Sequence, residues 1–76
     1  MMTRKYGIGV VGATGAVGRE FLSVMEERGF PVGDLRLWAS SRSRGRKLEF
    51  NDQMHTVDVL SGDDFSGLDF VLISAS

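Results

Sequence analysis

The chain has 76 residues, 42% of them hydrophobic and 25% charged, with a formal net charge of −1. That balance belongs to an ordinary globular protein and excludes disordered and fibrous classes, while the length allows one small core at most. With no cysteine and a single histidine, His55, the chain has no disulfide, thiolate nucleophile or Cys-type zinc site.

The segment Tyr6-Gly7-Ile8-Gly9-Val10-Val11 is apolar and β-branched toward its end, and a glycine-rich turn follows at once. It reads as a buried parallel strand. From Ala16 to Arg28 the period changes, and Val17, Phe21, Leu22, Val24 and Met25 fall within an arc of roughly 160°. With Arg19, Glu20, Ser23, Glu26 and Glu27 opposite, this is an amphipathic helix with one buried face. Gly29 supplies the residue that tolerates a left-handed conformation, and Pro31 cannot extend the helix.

Asp34 leads into a second strand, Leu35-Arg36-Leu37-Trp38-Ala39, with Leu35, Leu37 and Ala39 on one side. Lys47 to Phe50 and Met54 to Asp58 flank Asn51-Asp52-Gln53, as in a hairpin or a pair of short edge strands. Ser61 to Gly67 reads as a turn or one-turn helix before a further buried strand, Leu68 to Ser74. No linker, repeat or low-complexity tract divides the chain. No apolar run approaches the ~18–20 residues of a membrane span, and Met1 to Tyr6 lacks the apolar region of a signal peptide. A cytoplasmic protein without a membrane partner is expected.

Gly12-Ala13-Thr14-Gly15-Ala16-Val17-Gly18 follows a strand and opens a helix, the context that gives a glycine-rich motif its meaning. Gly12 permits a tight turn, Gly15 lets backbone N–H groups approach a pyrophosphate, and Gly18 lets the helix pack closely on the sheet. The helix N-terminus adds unpaired donors and about half a positive charge. The spacing is G-x-x-G-x-x-G. The stricter G-x-G-x-x-G pattern occurs only at Gly7, Gly9 and Gly12, where Gly7 and Gly9 lie inside the strand and are expected to allow close backbone packing. The fold class is therefore α/β, the first part of a Rossmann-type doubly wound parallel sheet: a βαβ unit, an edge hairpin and a further strand.

In NAD-binding units an acidic residue about 20 positions beyond the glycine turn bonds the ribose 2′-hydroxyl. Trp38-Ala39-Ser40-Ser41-Arg42-Ser43-Arg44 occupies that place with no carboxylate. Four of the nine basic residues, Arg42, Arg44, Arg46 and Lys47, fall within six positions. Arg42 and Ser43 are expected to hold a 2′-phosphate, so the cofactor is NADP. The alternative is that Arg42, Arg44, Arg46 and Lys47 form a solvated surface loop. A nucleic-acid role is not expected, because the rest of the chain is acidic and lacks an interleaved aromatic platform.

Val10 to Gly18, then Leu35 to Ser43, then Gly45-Arg46-Lys47-Leu48-Glu49-Phe50 resemble the opening of the aspartate-semialdehyde dehydrogenase family, in order through essentially all of the chain. The resemblance implies an N-terminal part of an NADP-binding domain, residues 1–76, of an enzyme that reductively dephosphorylates aspartyl 4-phosphate with NADPH on the way to lysine, methionine and threonine. It implies Thr14, Gly15, Ala16 and Val17 at the pyrophosphate and Arg42 and Ser43 at the adenosine phosphate, with Ser40, Ser41 and Ala75 as weaker candidates. It also implies a homo-oligomer when full length. The family's catalytic cysteine and histidine have no counterpart here, so no catalytic residue is assigned. A fragment of this size, inactive and at best marginally folded by itself, is expected.

N-acetyl-glutamyl-phosphate reductase has a similar turn, but the Ala-Ser-Ser-Arg-Ser run argues against it. A non-catalytic NADP-binding relative is the alternative of another class. His55 reads as a polar residue on a short strand rather than a base or ligand. Asp63 and Asp64 read as turn residues pointing into solvent, and Phe21, Phe65 and Phe70 as core candidates.

Overall fold

The structure, a computed structural model, describes residues 4–62 and 64–74. In chain order its elements are β1 (Tyr6–Val11), α1 (Ala16–Glu27), β2 (Val32–Trp38), a one-turn 3-10 helix (Ser41–Ser43), β3 (Lys47–Phe50), β4 (Gln53–Asp58) and β5 (Phe70–Ile73). The sheet runs β3-β4-β2-β1-β5, parallel except for the β3–β4 hairpin. The chain works outward from β1 to β2 and β4, then returns to place β5 on the other side of β1. Strand order thus reverses between β1 and β5, and ligands of open α/β sheets sit outside the carboxyl ends of the strands at such a reversal. The glycine turn lies there, beside Ser74, whose N–H donates to the Val11 carbonyl at 2.9 Å.

Alternation in β1 sends Ile8 and Val10 to the face covered by α1, where they are 2% and 0% exposed. They join Leu22 and Met25 of α1, Leu37 of β2, Phe50 of β3 and Val57 of β4 in one cluster. Burying side chains of this kind stabilises the fold by about 1.5–3 kcal/mol each. On the opposite face Gly9 is covered by side chains rather than by the strand backbone expected from the sequence. A Cβ there would come within 2.6 Å of the Trp38 ring and 2.8 Å of Leu68 Cδ1. Trp38 is buried by this contact and by Phe65, whose ring meets it edge-on at 5.2 Å.

α1 ends in a Schellman motif: Phe30 N–H donates to Met25 O, Gly29 N–H to Glu26 O, and Gly29 has φ 63°. The hairpin closes through Asn51 and Asp52, at φ 51° and 64°, the two left-handed residues of a type I′ turn. The Asn51 N–H donates to the Glu26 carboxylate at 2.6 Å, fastening the hairpin to the end of α1.

Three expectations are corrected. The buried line of α1 is Gly18, Leu22 and Met25, rotated roughly 45° from the centre of the apolar arc. Val17 and Val24 are left 60% and 38% exposed. Gly18 sets that rotation, because only its bare backbone can sit against the Gly12 carbonyl. The last strand is shorter than expected and is an open edge rather than buried: Phe70 and Ile73 are 54% and 67% exposed, since β1 pairs with one side of it only. Phe70 and Phe65 are therefore surface aromatics packed on Tyr6 and Trp38. The third correction is at β2, which begins at Val32, before the Gly-Asp pair that broke the apolar pattern, because Tyr6 and Gly7 pair with Val32 and Asp34 across a bulge.

A methyl on Gly18 would meet the Gly12 carbonyl and lie 2.9 Å from Ala13 Cα, whereas one on Gly15 meets only the Gly12 oxygen at 3.4 Å. Gly18→Ala is expected to cost about 1–3 kcal/mol of stability and Gly15→Ala about 1 kcal/mol or less. Thermal melts of the two variants in the full-length protein check the difference, and equal losses would refute it.

Candidate functional site

The turn after β1 is built by spending some of its amides and leaving others free. Gly12 turns the chain at φ 87°, and the N–H groups of Gly12 and Ala13 both donate to the Trp38 carbonyl, at 2.8 and 3.0 Å. Gly15 N–H donates back to Gly12 O at 3.1 Å, and Gly15 O accepts from Arg19 N–H at 3.0 Å. Gly15 is the N-cap of α1 and has no side chain to cap it, and no acidic residue stands in the first turn. Among the described residues, the N–H groups of Thr14, Ala16, Val17 and Gly18 find no acceptor in the protein. Four donors and the positive end of the helix dipole are thus left for an anion.

The three glycines differ in what requires them. Gly12 is needed for its positive φ, and a Cβ on it would strike the Ser74 carbonyl at 2.5 Å. Gly18 is needed for the helix contact. Gly15 has φ −80° and ψ 171°, which any residue adopts, and the fold leaves it room. Its missing side chain keeps clear the space a ligand's phosphate would enter, which is the fit expected of a pyrophosphate cradle.

Across from the turn, the segment after β2 folds into the 3-10 helix, with Ser43 N–H bonded to Ser40 O at 2.9 Å. Ser40, Ser41 and Arg42 are exposed, whereas Ser43 is buried, 9% exposed. The Ser43 hydroxyl stands 3.3 Å from the Thr14 hydroxyl. Turn and loop, 29 positions apart in sequence, therefore meet. Among the described residues Arg42 forms no ion pair, while Arg44 lies 3.9 Å from Asp58, an exposed pair of little energetic weight. Gly45 and Arg46 bond Val57 through backbone groups at 2.9 and 2.7 Å, which fixes the far end of the loop to β4.

The remaining candidates fall outside this constellation. His55 is half-buried on β4 with its ring 6.3 Å from that of Phe50. The Asp64 carboxylate accepts the Ser61 N–H and hydroxyl, so it holds its own turn together instead of pointing into solvent. Ala75 and Asp63 lie outside the described residues. Two supporting parts went unmarked by the sequence: the Trp38 carbonyl, which is a backbone group, and Arg36. The Arg36 guanidinium donates to the carbonyls of Asp64 at 2.8 Å and Ser66 at 3.0 Å and pairs with Asp34 at 3.0 Å. An arginine in a strand flanked by apolar residues was the available signal.

A parallel sheet whose first strand feeds a glycine turn and an uncapped helix, at the point where strand order reverses, defines a Rossmann-type dinucleotide-binding domain. The family model described as "Semialdehyde dehydrogenase, NAD binding domain" matches residues 7–76. The chain belongs to the semialdehyde dehydrogenase family, in its nicotinamide-dinucleotide-binding domain. It is 51% identical over 71 residues to the aspartate-semialdehyde dehydrogenase of Aquifex aeolicus, covering 92% of this chain and 21% of that protein. It is 50% identical over 74 residues to that of Legionella pneumophila, covering 97% and 21%. Among solved structures, aspartate semialdehyde dehydrogenase II of Vibrio cholerae, complexed with ASA, superposes with a TM-score of 0.89 at 40% identity, covering 96% of this chain and 24% of that one. The chain thus spans about a fifth of the length of the curated relatives it matches.

Arg36→Leu is expected to release the 64–66 turn from β2 and lower stability by about 1.5–3 kcal/mol, the worth of charged hydrogen bonds. Dinucleotide affinity of the folded variant should stay unchanged, as read by a melt and a binding titration on the same full-length preparation.

Proposed function

We propose that this chain is the N-terminal part of the NADP-binding domain of an aspartate-semialdehyde dehydrogenase. The full-length enzyme converts L-aspartyl 4-phosphate and NADPH to L-aspartate 4-semialdehyde, phosphate and NADP. The observation that carries this reading is the sequence identity of about half to relatives bearing that name, spread over nearly all of the chain. The site adds physical support: a turn with four amides that are free among the described residues, followed by a second strand whose end carries hydroxyls and a guanidinium with no ion pair among those residues, instead of a carboxylate.

In this assignment Gly12, Thr14, Gly15, Ala16, Val17 and Gly18 form the pyrophosphate cradle. Ser40, Arg42 and Ser43 form the pocket for the 2′-phosphate, with Ser41 beside them. The bound cofactor supplies the hydride. The chain's own residues would contribute position and charge: the free amides would donate to the pyrophosphate, the Arg42 guanidinium would attract and bond the 2′-phosphate, and the missing carboxylate would remove a repulsion. No residue here supplies a cysteine nucleophile, because the chain has no cysteine, so that step belongs to the rest of the enzyme. The enzyme acts on small molecules in the cytoplasm as a homo-oligomer, at the reductive step that leads to lysine through diaminopimelate and to methionine and threonine.

Arg42→Ala in the full-length enzyme is expected to weaken NADPH binding about tenfold or more while NADH binding changes little, since a charged hydrogen-bonding partner of the 2′-phosphate is lost. A parallel loss for both cofactors in fluorescence titrations would remove Arg42 from the 2′-phosphate. Gly15→Val is expected to abolish binding of both cofactors while leaving the melt within a few degrees of the parent. Retained NADPH affinity in that variant would dismiss the cradle.

A further inference from the structure

The two glycines of β1 that stand outside the phosphate turn receive one segment, Gly67 to Asp69, as it enters β5. A Cβ on Gly7 would come within 3.2 Å of both the Gly67 carbonyl oxygen and Leu68 Cδ2, and one on Gly9 within 2.8 Å of Leu68 Cδ1. Gly7 and Asp69 are then joined twice. The Asp69 N–H donates to the Gly7 carbonyl at 2.8 Å, and the Gly7 N–H donates to the Asp69 carboxylate, also at 2.8 Å. β5 begins only at Phe70, so the carboxylate takes the place that a strand carbonyl would fill opposite that N–H. Its other oxygen accepts from the exposed Arg4 guanidinium at 3.2 Å.

The register of β5 needs a fixture of this kind. A strand with one polar face resists slipping because a shift of one residue exchanges its buried and solvent faces. That penalty is missing in β5, where Phe70, Val71, Leu72 and Ile73 are apolar on both faces, and a ladder of backbone bonds does not by itself distinguish one register from the next. What differs between registers is the entry to the strand. A slip lifts the Asp69 carboxylate off the Gly7 N–H and Leu68 out of the space over Gly9, and it carries the far end of the strand along β1 by ~3.3 Å per residue. That far end is Ser74, whose N–H donates to the Val11 carbonyl at 2.9 Å. Its own carbonyl oxygen stands 2.5 Å from where a Cβ on Gly12 would be.

We infer that Asp69 is a positioning residue, the register lock of β5: from the amino end of the sheet it sets where Ser74 meets Gly12, and so holds one side of the phosphate turn without touching a ligand. The Gly7–Gly9 pair of β1 is the other half of the lock, a bare stretch of backbone that admits Leu68 and Asp69. Arg4 is the outer partner of an exposed ion pair and adds little. The lock rests on the dinucleotide-binding assignment of the turn and is independent of which dinucleotide the turn takes.

The test reads NADPH and NADH dissociation constants by cofactor fluorescence, together with hydrogen exchange at single amides, in the full-length protein. Asp69→Ala is expected to weaken the better-bound of the two cofactors by about 3–10-fold, part of the worth of one charged hydrogen bond. It should also speed exchange at the Gly7 and Ser74 amides while the Leu37 amide of β2 keeps its protection, a local change that a general loss of stability would not produce. Asp69→Asn retains an acceptor oxygen and should restore affinity to within about twofold of the parent, and Arg4→Ala should leave both readouts at parent values. Unchanged affinity and unchanged Ser74 exchange in Asp69→Ala overturn the inference. So does an Asp69→Asn protein as impaired as Asp69→Ala, or an Arg4→Ala protein that reproduces the loss. If Asp69→Ala does not fold, the unsubstituted protein decides: a Gly7 amide that exchanges as slowly as the interior of β1 upholds the lock, and one that exchanges as fast as an open loop overturns it. An unsubstituted protein that binds neither dinucleotide overturns the assignment of the turn itself, a different result from a dinucleotide-binding protein indifferent to Asp69.

Discussion

The Gly12 carbonyl and the backbone of Gly18 are in contact across the mouth of the turn, with no space between them for a Cβ. This approach brings α1 onto the end of β1, where strand order reverses, with the amides of Thr14, Ala16, Val17 and Gly18 left without an acceptor among the described residues. It also rotates the helix, so that Gly18, Leu22 and Met25 face the core and Val17 and Val24 do not. The cost in exposed apolar surface is concentrated beside β5, where Ile8, Phe21, Met25, Phe30 and Phe70 line one open apolar groove and Val17, Phe21 and Leu72 another. Parallel sheets are stable when both faces and their edges are covered. Solved relatives about four times as long as this chain have the additional polypeptide with which to meet that requirement.

Trp38 couples the parts on the other side of the sheet. Its carbonyl receives two amides of the turn, its ring fills the space over Gly9, and Phe65 packs against that ring. Arg36, on the same face two residues earlier, fastens the 64–66 turn that carries Phe65. One strand end therefore holds both the phosphate turn and the segment shielding the sheet. The loop that follows it carries Ser40, Arg42 and Ser43, the residues proposed to meet the adenosine phosphate.

Much of this was legible in the sequence where chemistry and period coincide. The strand at Tyr6–Val11, the turn at Gly12, the helix from Ala16, the Gly29 stop and the hairpin all rest on local patterns that the structure reproduces. The rotation of α1 was not legible, because an apolar arc records which residues tolerate burial, and the contact that selects among them comes from Gly12. The exposure of Phe65, Phe70 and Ile73 was equally hidden, since an apolar run does not state how many neighbours a strand has. At the site, the residue types of Ser40, Arg42 and Ser43 were readable. The inward turn of Ser43 toward Thr14 was not, because it depends on two segments 29 positions apart meeting in space.

The set of amides left without an acceptor is the most specific physical feature of the site, and its use can be watched directly. Titrating the isotopically labelled full-length protein with NADP and following backbone amide resonances should shift Thr14, Ala16, Val17 and Gly18 most strongly, with Ser41 and Arg42 next. Gly12 and Ala13, already bonded to Trp38, should move less. Saturable binding of NADP that leaves the amides of Ala16, Val17 and Gly18 unperturbed would show that the cofactor does not use this turn.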